Sequence, residues 1–340
     1  MAREVTQPGF RIAGIGSALP ERRVHNDEIA ATLAAAHPEE YARKPTDDPW
    51  IRKSTGIVER PIADPNRGET TTGLAVAAGR LALKQSGFSP KSIEMLILAT
   101  TTKDDNVPAG SPDIQRRLRL KNAFAHDLDA ACSGFVFGLV EADAIMARKG
   151  LKRVMIIGAD TLSTITDYTD RTTAPLFADG AGAVILEATD EDRGLIGSSL
   201  RSKGNKSVLY SPRYKKLRDG SMEKGTIRMK AGRPVFEAGV EYMVQTSLEA
   251  MEEAEVSAEE VTLVVPHQAN LRMMRRTVEI LGIPEEKMAV SIDHIGNSSA
   301  ATVPISLDER LQIEELQPGD IVLMPVAGGG ITGGAVVIKW

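Results

Sequence analysis

The chain of 340 residues is long enough for two domains or for two halves of one pseudo-symmetric domain, and 42% of it is hydrophobic. A formal net charge of -5 argues against a general binder of nucleic acid or of a membrane surface, because such proteins usually carry a basic excess. One cysteine excludes an internal disulfide framework and a multi-cysteine metal site, and no apolar run has membrane-spanning length. We therefore expect a cytoplasmic protein without a bound metal.

Apolar runs of strand length alternate with helical patterns along the chain. In chain order the runs are "FRIAGIGSAL", "IEMLILATTT", "AFAHDLDA", "VMIIGAD", "AGAVILEA", "TLVVPHQA", "AVSIDHIG", "IVLMPV" and "GAVVIKW". The segments "TTTGLAVAAGRLALKQSG" and "EAGVEYMVQTSLEAMEEAEV" repeat apolar residues at helical spacing. This alternation predicts an α/β protein with largely buried sheets.

A nucleotide-binding fold is the commonest α/β alternative, and "GIGSALP" near the start invites it. Gly14 and Gly16 are followed by Pro20, so the third glycine and the helix start of the dinucleotide motif are missing. The motif therefore gives little support to that alternative.

Similar segments recur in the same order in the two halves of the chain. "SIEMLILATTT" resembles "EVTLVVPHQAN", "AFAHDLDAACSG" resembles "MAVSIDHIGNSSA", and "DGAGAVILEA" resembles "TGGAVVIKW". We place the halves at residues 1–190 and 191–340. The repeat puts Cys132 and Asn297 at nearly equivalent positions, which predicts that they meet about a pseudo-twofold axis.

The single thiol, Cys132, lies between a strand-like run and the buried-helix pattern "CSGFVFGLVEADAIMARKG". Unpaired N–H groups and the positive end of the helix dipole favour a thiolate there, as a nucleophile requires. The alternative is a small buried apolar side chain, since free cysteines are often buried.

Three further features carry chemistry only in combination. His267, in "LVVPHQANLRMM", can donate to a developing negative charge or accept a proton, but it can equally be structural. Asn297, in "HIGNSSAATVP", is an uncharged donor or an ordinary helix N-cap. The glycines of "PVAGGGITGGAVVIKW" can bring backbone N–H groups close to a reacting carbonyl or form a tight turn.

Together these motifs resemble the β-ketoacyl-acyl carrier protein synthase III family of the thiolase-like superfamily. The resemblance covers nearly the whole chain and includes "GIGSALPERRVHNDEIA", "WIRKSTGIVER", "DLDAACSGF", "DYTDRTTAPLFADGAGAVIL", "VVPHQANLRMM" and "IGNSSAATVPISL". It implies a thiolase-like five-layered αβαβα fold of two similar halves, a homodimer, and no cofactor besides the CoA thioester that serves as substrate.

The resemblance also implies a reaction in fatty acid or related lipid synthesis. Cys132 would take the acyl group of an acyl-CoA, with the oxyanion held by the N–H groups of Cys132 and Gly329. Malonyl-acyl carrier protein would then lose CO₂, and His267 and Asn297 would stabilise the resulting enolate, which attacks the acyl-cysteine.

For substrate binding, the resemblance implies that Trp50 and Arg171 enclose the adenine of CoA. Arg272 matches the position that meets the acidic carrier protein. A basic run at residues 213–218 is a further candidate for docking the carrier, although such runs are more often solvated loops.

Four positions depart from the family pattern. Ser54 replaces an arginine near the CoA phosphates, Val107 replaces an aromatic residue that walls the primer pocket across the dimer, Gly333 replaces a tryptophan, and Ala327 replaces an aromatic residue before the glycines. The smaller side chains at the acyl pocket suggest a primer bulkier than acetyl.

Two rival functions remain open at this stage. A related enzyme could transfer the acyl group to another acceptor without condensation, as some branches of secondary metabolism do. A catalytically silent carrier-binding subunit would form no acyl adduct on Cys132.

Overall fold

The computed structural model describes residues 9–205, 209–217, 221–229 and 231–340. Within these ranges the helices are α1 (Asn26–Ala36), α2 (Pro38–Arg43), α3 (Asp48–Thr55), α4 (Thr71–Ser86), α5 (Gly110–Leu118), α6 (Gly134–Lys149), α7 (Gly232–Glu253), α8 (Leu271–Leu281), α9 (Ile292–Ile295) and α10 (Thr302–Ile313). The strands are β1 (Gly9–Ala18), β2 (Arg23–His25), β3 (Glu59–Pro61), β4 (Met95–Ala99), β5 (Phe124–Leu128), β6 (Arg153–Thr161), β7 (Asp179–Thr189), β8 (Gly194–Asn205), β9 (Leu209–Tyr210), β10 (Tyr214–Lys216), β11 (Met222–Lys224), β12 (Arg228–Met229), β13 (Val261–Val264), β14 (Ile321–Gly328) and β15 (Gly330–Lys339).

The first large sheet has the strand order β1-β7-β6-β4-β5. β4 lies parallel to both β5 and β6, whereas β7 is antiparallel to β1 and β6. Every residue of β4 is buried, which explains why its sequence is a continuous apolar run rather than an alternating pattern. The segment "GIGSALP" overlaps β1, an antiparallel edge strand, and so is not the central strand of a nucleotide-binding fold.

The second large sheet, β13-β14-β15-β8, repeats the order and directions of four of the five strands of the first sheet. β8 is antiparallel to β15, β15 is antiparallel to β14, and β14 is parallel to β13, as β1, β7, β6 and β4 are in the first sheet. The strands of the first sheet all lie before residue 190 and those of the second all lie after it. We retain the boundary near residue 190 as our interpretation of the repeat.

The strand predicted at "AVSIDHIG" is wrong. In this described stretch a single parallel bridge between Val264 and Met288 occupies the place that β5 has in the first sheet. Beyond it, the N–H groups of Ser291 and Ile292 donate to the side-chain oxygen of Gln268, at 3.0 and 3.1 Å. Because this side chain takes the backbone donors, the chain leaves the sheet and forms the short helix α9.

Five layers result from stacking these elements, as the sequence resemblance implies. α6 and α10 lie between the two sheets, in a core that joins Ile97 and Ile156 of one sheet to Met324 and Val336 of the other. α4 and α5 cover the outer face of the first sheet, and α7 and α8 cover that of the second. Each central helix starts with a 3₁₀ turn, at Ala131–Ser133 and at Ser299–Ala301.

Of the helices in the described part of the chain, none has the length and apolar character needed to cross a membrane.

Candidate active site

Cys132 lies in the 3₁₀ turn between β5 and α6, where the chain leaves the first sheet for the central layer. The preceding residue, Ala131, has a positive φ of 49°, which is uncommon for a residue with a side chain. The turn directs Cys132 inward, and its side chain is 8% exposed. A strained backbone at one tight turn thus supports the position of the sulfur.

The glycine loop between β14 and β15 closes over this turn. A Cβ atom at Gly328 would lie 2.9 Å from the backbone nitrogen of Cys132, so the close approach requires a glycine. The N–H groups of Cys132 and Gly329 both lower the pKa of the thiol by hydrogen bonding to its sulfur. Two backbone donors therefore converge where the oxyanion of an attacked thioester would form.

The pKa of Cys132 is nevertheless raised to about 11 when all influences on the thiol are combined. Burial is the largest cause, and the nearby carboxyl of Asp160 adds to it, while the hydroxyl of Ser299 and the two N–H groups lower it. Burial therefore outweighs the helix terminus. The backbone N–H groups favour a thiolate, as the sequence predicts, but the balance leaves the sulfur as a thiol at ordinary pH.

His267 follows β13 and is 1% exposed. Its backbone N–H donates to the carbonyl of Pro325 at 2.9 Å, which ties the residue to the neighbouring strand. Burial lowers the pKa of His267 to about 3, so the imidazole is neutral at ordinary pH. Its Nδ1 lies 2.7 Å from the hydroxyl of Thr302, leaving Nε2 for the cavity.

Asn297 is held between the two halves of the molecule. Its N–H donates to the carbonyl of Leu176 at 3.0 Å, and its own carbonyl accepts from the N–H of Ala178 at 2.9 Å. The side-chain oxygen accepts from the N–H of Ser299 at 2.9 Å. Because the oxygen is engaged, the side-chain NH₂ is the group that can donate to a ligand.

One cavity of about 610 Å³ contains all three side chains on its lining. Its other walls are largely apolar, formed by Leu176, Phe177, Leu209, Met229, Phe236, Met273 and Ile331 among the described residues. A thiol, a neutral imidazole and an amide donor thus share a cavity that excludes much of the solvent. Such surroundings strengthen the hydrogen bonds of neutral donors to a developing anion.

Sequence reasoning missed two residues beside the sulfur, Asp160 and Ser299. Asp160 is completely buried, and its Oδ1 accepts from Thr100, Thr101 and Thr102 at 2.7 to 3.2 Å. The Ser299 hydroxyl lowers the pKa of both Asp160 and Cys132, so it lies between the carboxyl and the thiol. The threonine run "TTT" after β4 was the available signal, because hydroxyl-rich turns often surround a buried acid.

Trp50 lines the cavity, and Arg171 lies beside it on the wall of a neighbouring cavity. The guanidinium carbon of Arg171 lies 5.2 Å from the centre of a Trp50 ring, and Trp50 is 39% exposed. Ser54 lines the cavity one helical turn after Trp50 on α3. Arg52 does not replace the missing arginine, because its guanidinium is bound to Asp48 at 2.7 and 2.8 Å.

Arg272 lies at the start of α8 on the rim of the cavity. Its guanidinium carbon is 5.9 Å from the ring centre of Phe236, which also lines the cavity. In the basic run at residues 213–218, the side chains of Arg213 and Lys216 are exposed. Arg218 and the side chain of Lys215 lie outside the described residues.

Of the three residues expected to shape the acyl pocket, one lines the cavity and two do not. Ala327 lines the cavity, whereas Val107 and Gly333 are not among the described residues on its wall. Val107 is 87% exposed on the surface of this chain. A Cβ atom at Gly333 would meet the Tyr242 ring at 2.5 Å, so Tyr242 already fills the space that the missing tryptophan would leave.

Within the described residues, no group of three or more His, Cys, Asp and Glu side chains is placed to hold a metal ion. The chemical groups around the cavity are instead a nucleophile, two backbone donors and two neutral side-chain donors. On two stacked thiolase-like sheets, this set defines an acyltransferase that works through an acyl-cysteine.

Comparison with known proteins agrees with this class. The family model for 3-oxoacyl-[acyl-carrier-protein (ACP)] synthase III matches residues 126–204, and the model for the C-terminal part of the same family matches residues 251–340. A β-ketoacyl-[acyl-carrier-protein] synthase III of Brucella melitensis is 40% identical over 97% of this chain and 98% of its own.

Solved structures give the same result for the fold. The 3-oxoacyl-[acyl-carrier-protein] synthase III of Aquifex aeolicus has a TM-score of 0.86 and 36% identity, with 98% of this chain and 100% of that chain covered. The priming β-ketosynthase of the R1128 polyketide pathway has a TM-score of 0.87 and 29% identity, with 98% and 96% covered. The chain belongs to the β-ketoacyl-[acyl-carrier-protein] synthase III family. This confirms the resemblance and does not favour acyl transfer without condensation.

Proposed function

We propose that this chain condenses an acyl-CoA primer with malonyl-acyl carrier protein through an acyl group held on Cys132. The observation that carries the proposal is the shared cavity, in which Cys132, His267 and Asn297 meet beneath the glycine loop. Each of these groups has a role in one of two half-reactions, and both half-reactions use the same cavity.

Cys132 acts in the first half-reaction. Its sulfur attacks the thioester carbonyl, and the oxyanion is held by the N–H groups of Cys132 and Gly329. The thioester bond to CoA breaks, the thiol proton leaves with CoA, and the acyl group stays on sulfur. Because the thiol has a raised pKa, its proton must be lost as the carbon–sulfur bond forms.

His267 and Asn297 act in the second half-reaction. Malonyl-carrier protein loses CO₂, and the electron pair left behind becomes an enolate whose oxygen accepts from Nε2 of His267 and from the Asn297 amide. Each donor contributes about 3 kcal/mol of transition-state stabilisation. The enolate carbon attacks acyl-Cys132, forming the new carbon–carbon bond as the bond from the acyl carbon to sulfur breaks. The thiolate that leaves takes up a proton from water and regenerates the thiol. Neutral donors suit this step because a carboxylate would repel the developing charge.

The substrates reach the sulfur from the Trp50 end of the cavity. The adenine of CoA lies against Trp50 and Arg171, and Arg272 meets the acidic carrier at the rim. Arg233 on α7 also lines the cavity, where it is ion-paired with Glu237. We assign every step to groups of this chain and propose no resident cofactor.

The assembly is a homodimer formed along β5. β5 is the last strand of its sheet, and its outward edge has no neighbouring strand among the described residues. Phe124 on this strand is 44% exposed and Val107 is 87% exposed. An unpaired edge beside exposed apolar side chains is a surface suited to pairing with a second copy. We place the enzyme in the cytoplasm, where a catalytic thiol stays reduced.

The decisive experiment measures CO₂ release from malonyl-carrier protein in the presence and absence of acyl-CoA. With acyl-CoA present, condensation predicts CO₂ and a β-ketoacyl product in equal amounts, and Cys132→Ala should abolish the β-ketoacyl product. Acyl transfer without condensation would release CoA but no CO₂, and a silent carrier-binding subunit would release neither.

A further inference from the structure

Nδ1 of His267 and the hydroxyl of Thr302 are hydrogen-bonded to each other, 2.7 Å apart. Thr302 is the first residue of α10 and is fully buried, and His267 is 1% exposed. A neutral imidazole carries one proton on one of its two ring nitrogens. The nitrogen that carries it decides whether Nε2 donates to the cavity or accepts from it.

The other neighbours of the Thr302 hydroxyl show where its own proton goes. The N–H of Gln268 approaches the hydroxyl oxygen at 3.3 Å and can only donate to it. The hydroxyl is also within donating distance of the Ser299 carbonyl, at 3.1 Å, but that carbonyl already accepts the backbone N–H of Thr302, and the hydroxyl has a single proton to give. The carbonyl therefore has a donor without the hydroxyl, whereas Nδ1 has no other partner among the described residues.

The length of the contact agrees with this direction. Hydrogen bonds from N–H to oxygen are usually about 2.9 to 3.0 Å long, and those donated by a hydroxyl are shorter. At 2.7 Å the contact between Thr302 and His267 lies at the short end of the range for N–H donors and matches the usual length of a bond donated by a hydroxyl.

We infer that the Thr302 hydroxyl donates to Nδ1 of His267 and so keeps the imidazole proton on Nε2, facing the cavity. This inference rests on the proposed function, in which Nε2 must donate to the enolate. Thr302 touches no substrate in this scheme and is a positioning residue. The same tautomer leaves no basic nitrogen facing Cys132, so His267 serves decarboxylation rather than removal of the thiol proton.

Replacing Thr302 with valine keeps a β-branched side chain of similar size but removes the donor. Without this donor, Nδ1 no longer favours one tautomer over the other, and in a fraction of the molecules Nε2 carries no proton to donate to the enolate. We expect decarboxylation of malonyl-carrier protein to fall by about tenfold to 100-fold. Acyl loading of Cys132 stays within about twofold of wild type, and Thr302→Ser restores decarboxylation because it restores the hydroxyl.

A matched control is available on α8. Thr277 is also fully buried and donates its hydroxyl to a carbonyl one turn earlier, that of Met273, at 3.0 Å. Thr277→Val therefore removes a similar helix contact without touching His267. Thr277→Val should leave both half-reactions and the histidine spectrum unchanged. An equal loss of decarboxylation in Thr277→Val and Thr302→Val would show that the Thr302 effect comes from altered packing.

The direct test is nitrogen NMR of protein labelled with ¹⁵N-histidine. The chain has five histidines, and the His267 signals are assigned by their loss in His267→Gln. We expect a protonated Nε2 and an unprotonated, hydrogen-bonded Nδ1, with a changed Nδ1 shift in Thr302→Val and recovery in Thr302→Ser.

A wild-type spectrum with the proton on Nδ1 overturns the inference whatever the activities are. Unchanged decarboxylation and an unchanged Nδ1 shift in Thr302→Val overturn it as well. If the wild-type protein neither loads Cys132 nor releases CO₂, the proposed function fails, while the spectrum still decides the tautomer.

Discussion

The backbone N–H of Ser299 donates to Oδ1 of Asn297 across 2.9 Å, and this contact fixes the direction of the side-chain amide. With the oxygen held, the NH₂ group of Asn297 is the end presented to the cavity. The 3₁₀ turn before α10 thus serves chemistry as well as helix initiation.

Asn297→Asp tests this orientation with little change in size. A carboxylate at this position accepts rather than donates and repels the enolate, so decarboxylation should fall by at least about 100-fold. Acyl loading of Cys132 should change far less, because it uses the backbone donors. Separate assays of CO₂ release and of CoA release measure the two effects, and parallel losses in both would contradict the assigned role.

The raised pKa of Cys132 predicts how its reactivity depends on pH. Below a pKa of about 11 the thiolate fraction grows about tenfold for each pH unit, so alkylation by iodoacetamide should accelerate steadily from pH 7 to pH 10. His267, whose pKa is about 3, adds no inflection in this range. A rate that levels off near pH 7 would show a stabilised thiolate and contradict the assignment.

Ser299→Ala refines the same measurement. The Ser299 hydroxyl lowers the pKa of the thiol, so its loss should raise that pKa further and slow alkylation at each pH below 10. Ser298→Ala is the matched control, because the Ser298 hydroxyl is buried and has no hydrogen-bond partner among the described groups. The control should follow the wild-type profile, and an equal slowing in both variants would point to a packing effect.

Within this chain the primer hypothesis rests on Ala327, since Tyr242 fills the space beside Gly333, and Val107 would act only across the proposed dimer. Ala327 lines the cavity near Phe236 and Met273. We expect wild-type enzyme to accept isobutyryl-CoA or octanoyl-CoA at least as well as acetyl-CoA, and Ala327→Phe to lose the bulkier primers preferentially. A wild-type enzyme restricted to acetyl-CoA would refute the hypothesis, and kcat/KM for the three thioesters measures it.

Trp50→Ala tests the CoA end of the cavity. Loss of the indole should raise KM for acyl-CoA about tenfold and leave kcat nearly unchanged, because in the proposed binding mode Trp50 contacts the adenine rather than the reacting carbonyl. Alkylation of Cys132 by iodoacetamide is the internal control and should keep its wild-type rate. A fall in kcat with unchanged KM would remove Trp50 from the binding site.

The sequence predicted the layers of the fold well because buried strands and helices leave strong periodic patterns. "IEMLILATTT" and "GAVVIKW" became β4 and β15, and "TTTGLAVAAGRLALKQSG" became α4. β8 was missed, since "GLIGSSLRSKGN" mixes glycine, serine and charge and has no apolar run. That strand is specified by pairing along β15 rather than by its own composition.

The candidate site was predicted less completely than the fold, because its geometry depends on the exact register of the two 3₁₀ turns and on contacts between distant elements. The two positive-φ residues that begin the 3₁₀ turns, Ala131 and Ser299, mark the register of the repeat. In this register Cys132 corresponds to Ala300 and Asn297 to Asp129, so these two candidate site residues lie three positions apart in the repeat. The roles of Ser299 and Thr302 depend on contacts with residues of other elements, and such contacts cannot be predicted from the spacing of residues along the chain.

The most direct test of the central claim is the mass of the intact protein after exposure to acyl-CoA and then to malonyl-carrier protein. We predict that one acyl group adds to Cys132, that Cys132→Ser abolishes the thioester adduct, and that the adduct disappears with CO₂ release when malonyl-carrier protein is added. A wild-type protein that gains no acyl mass, or that carries it on a residue other than Cys132, would contradict the account.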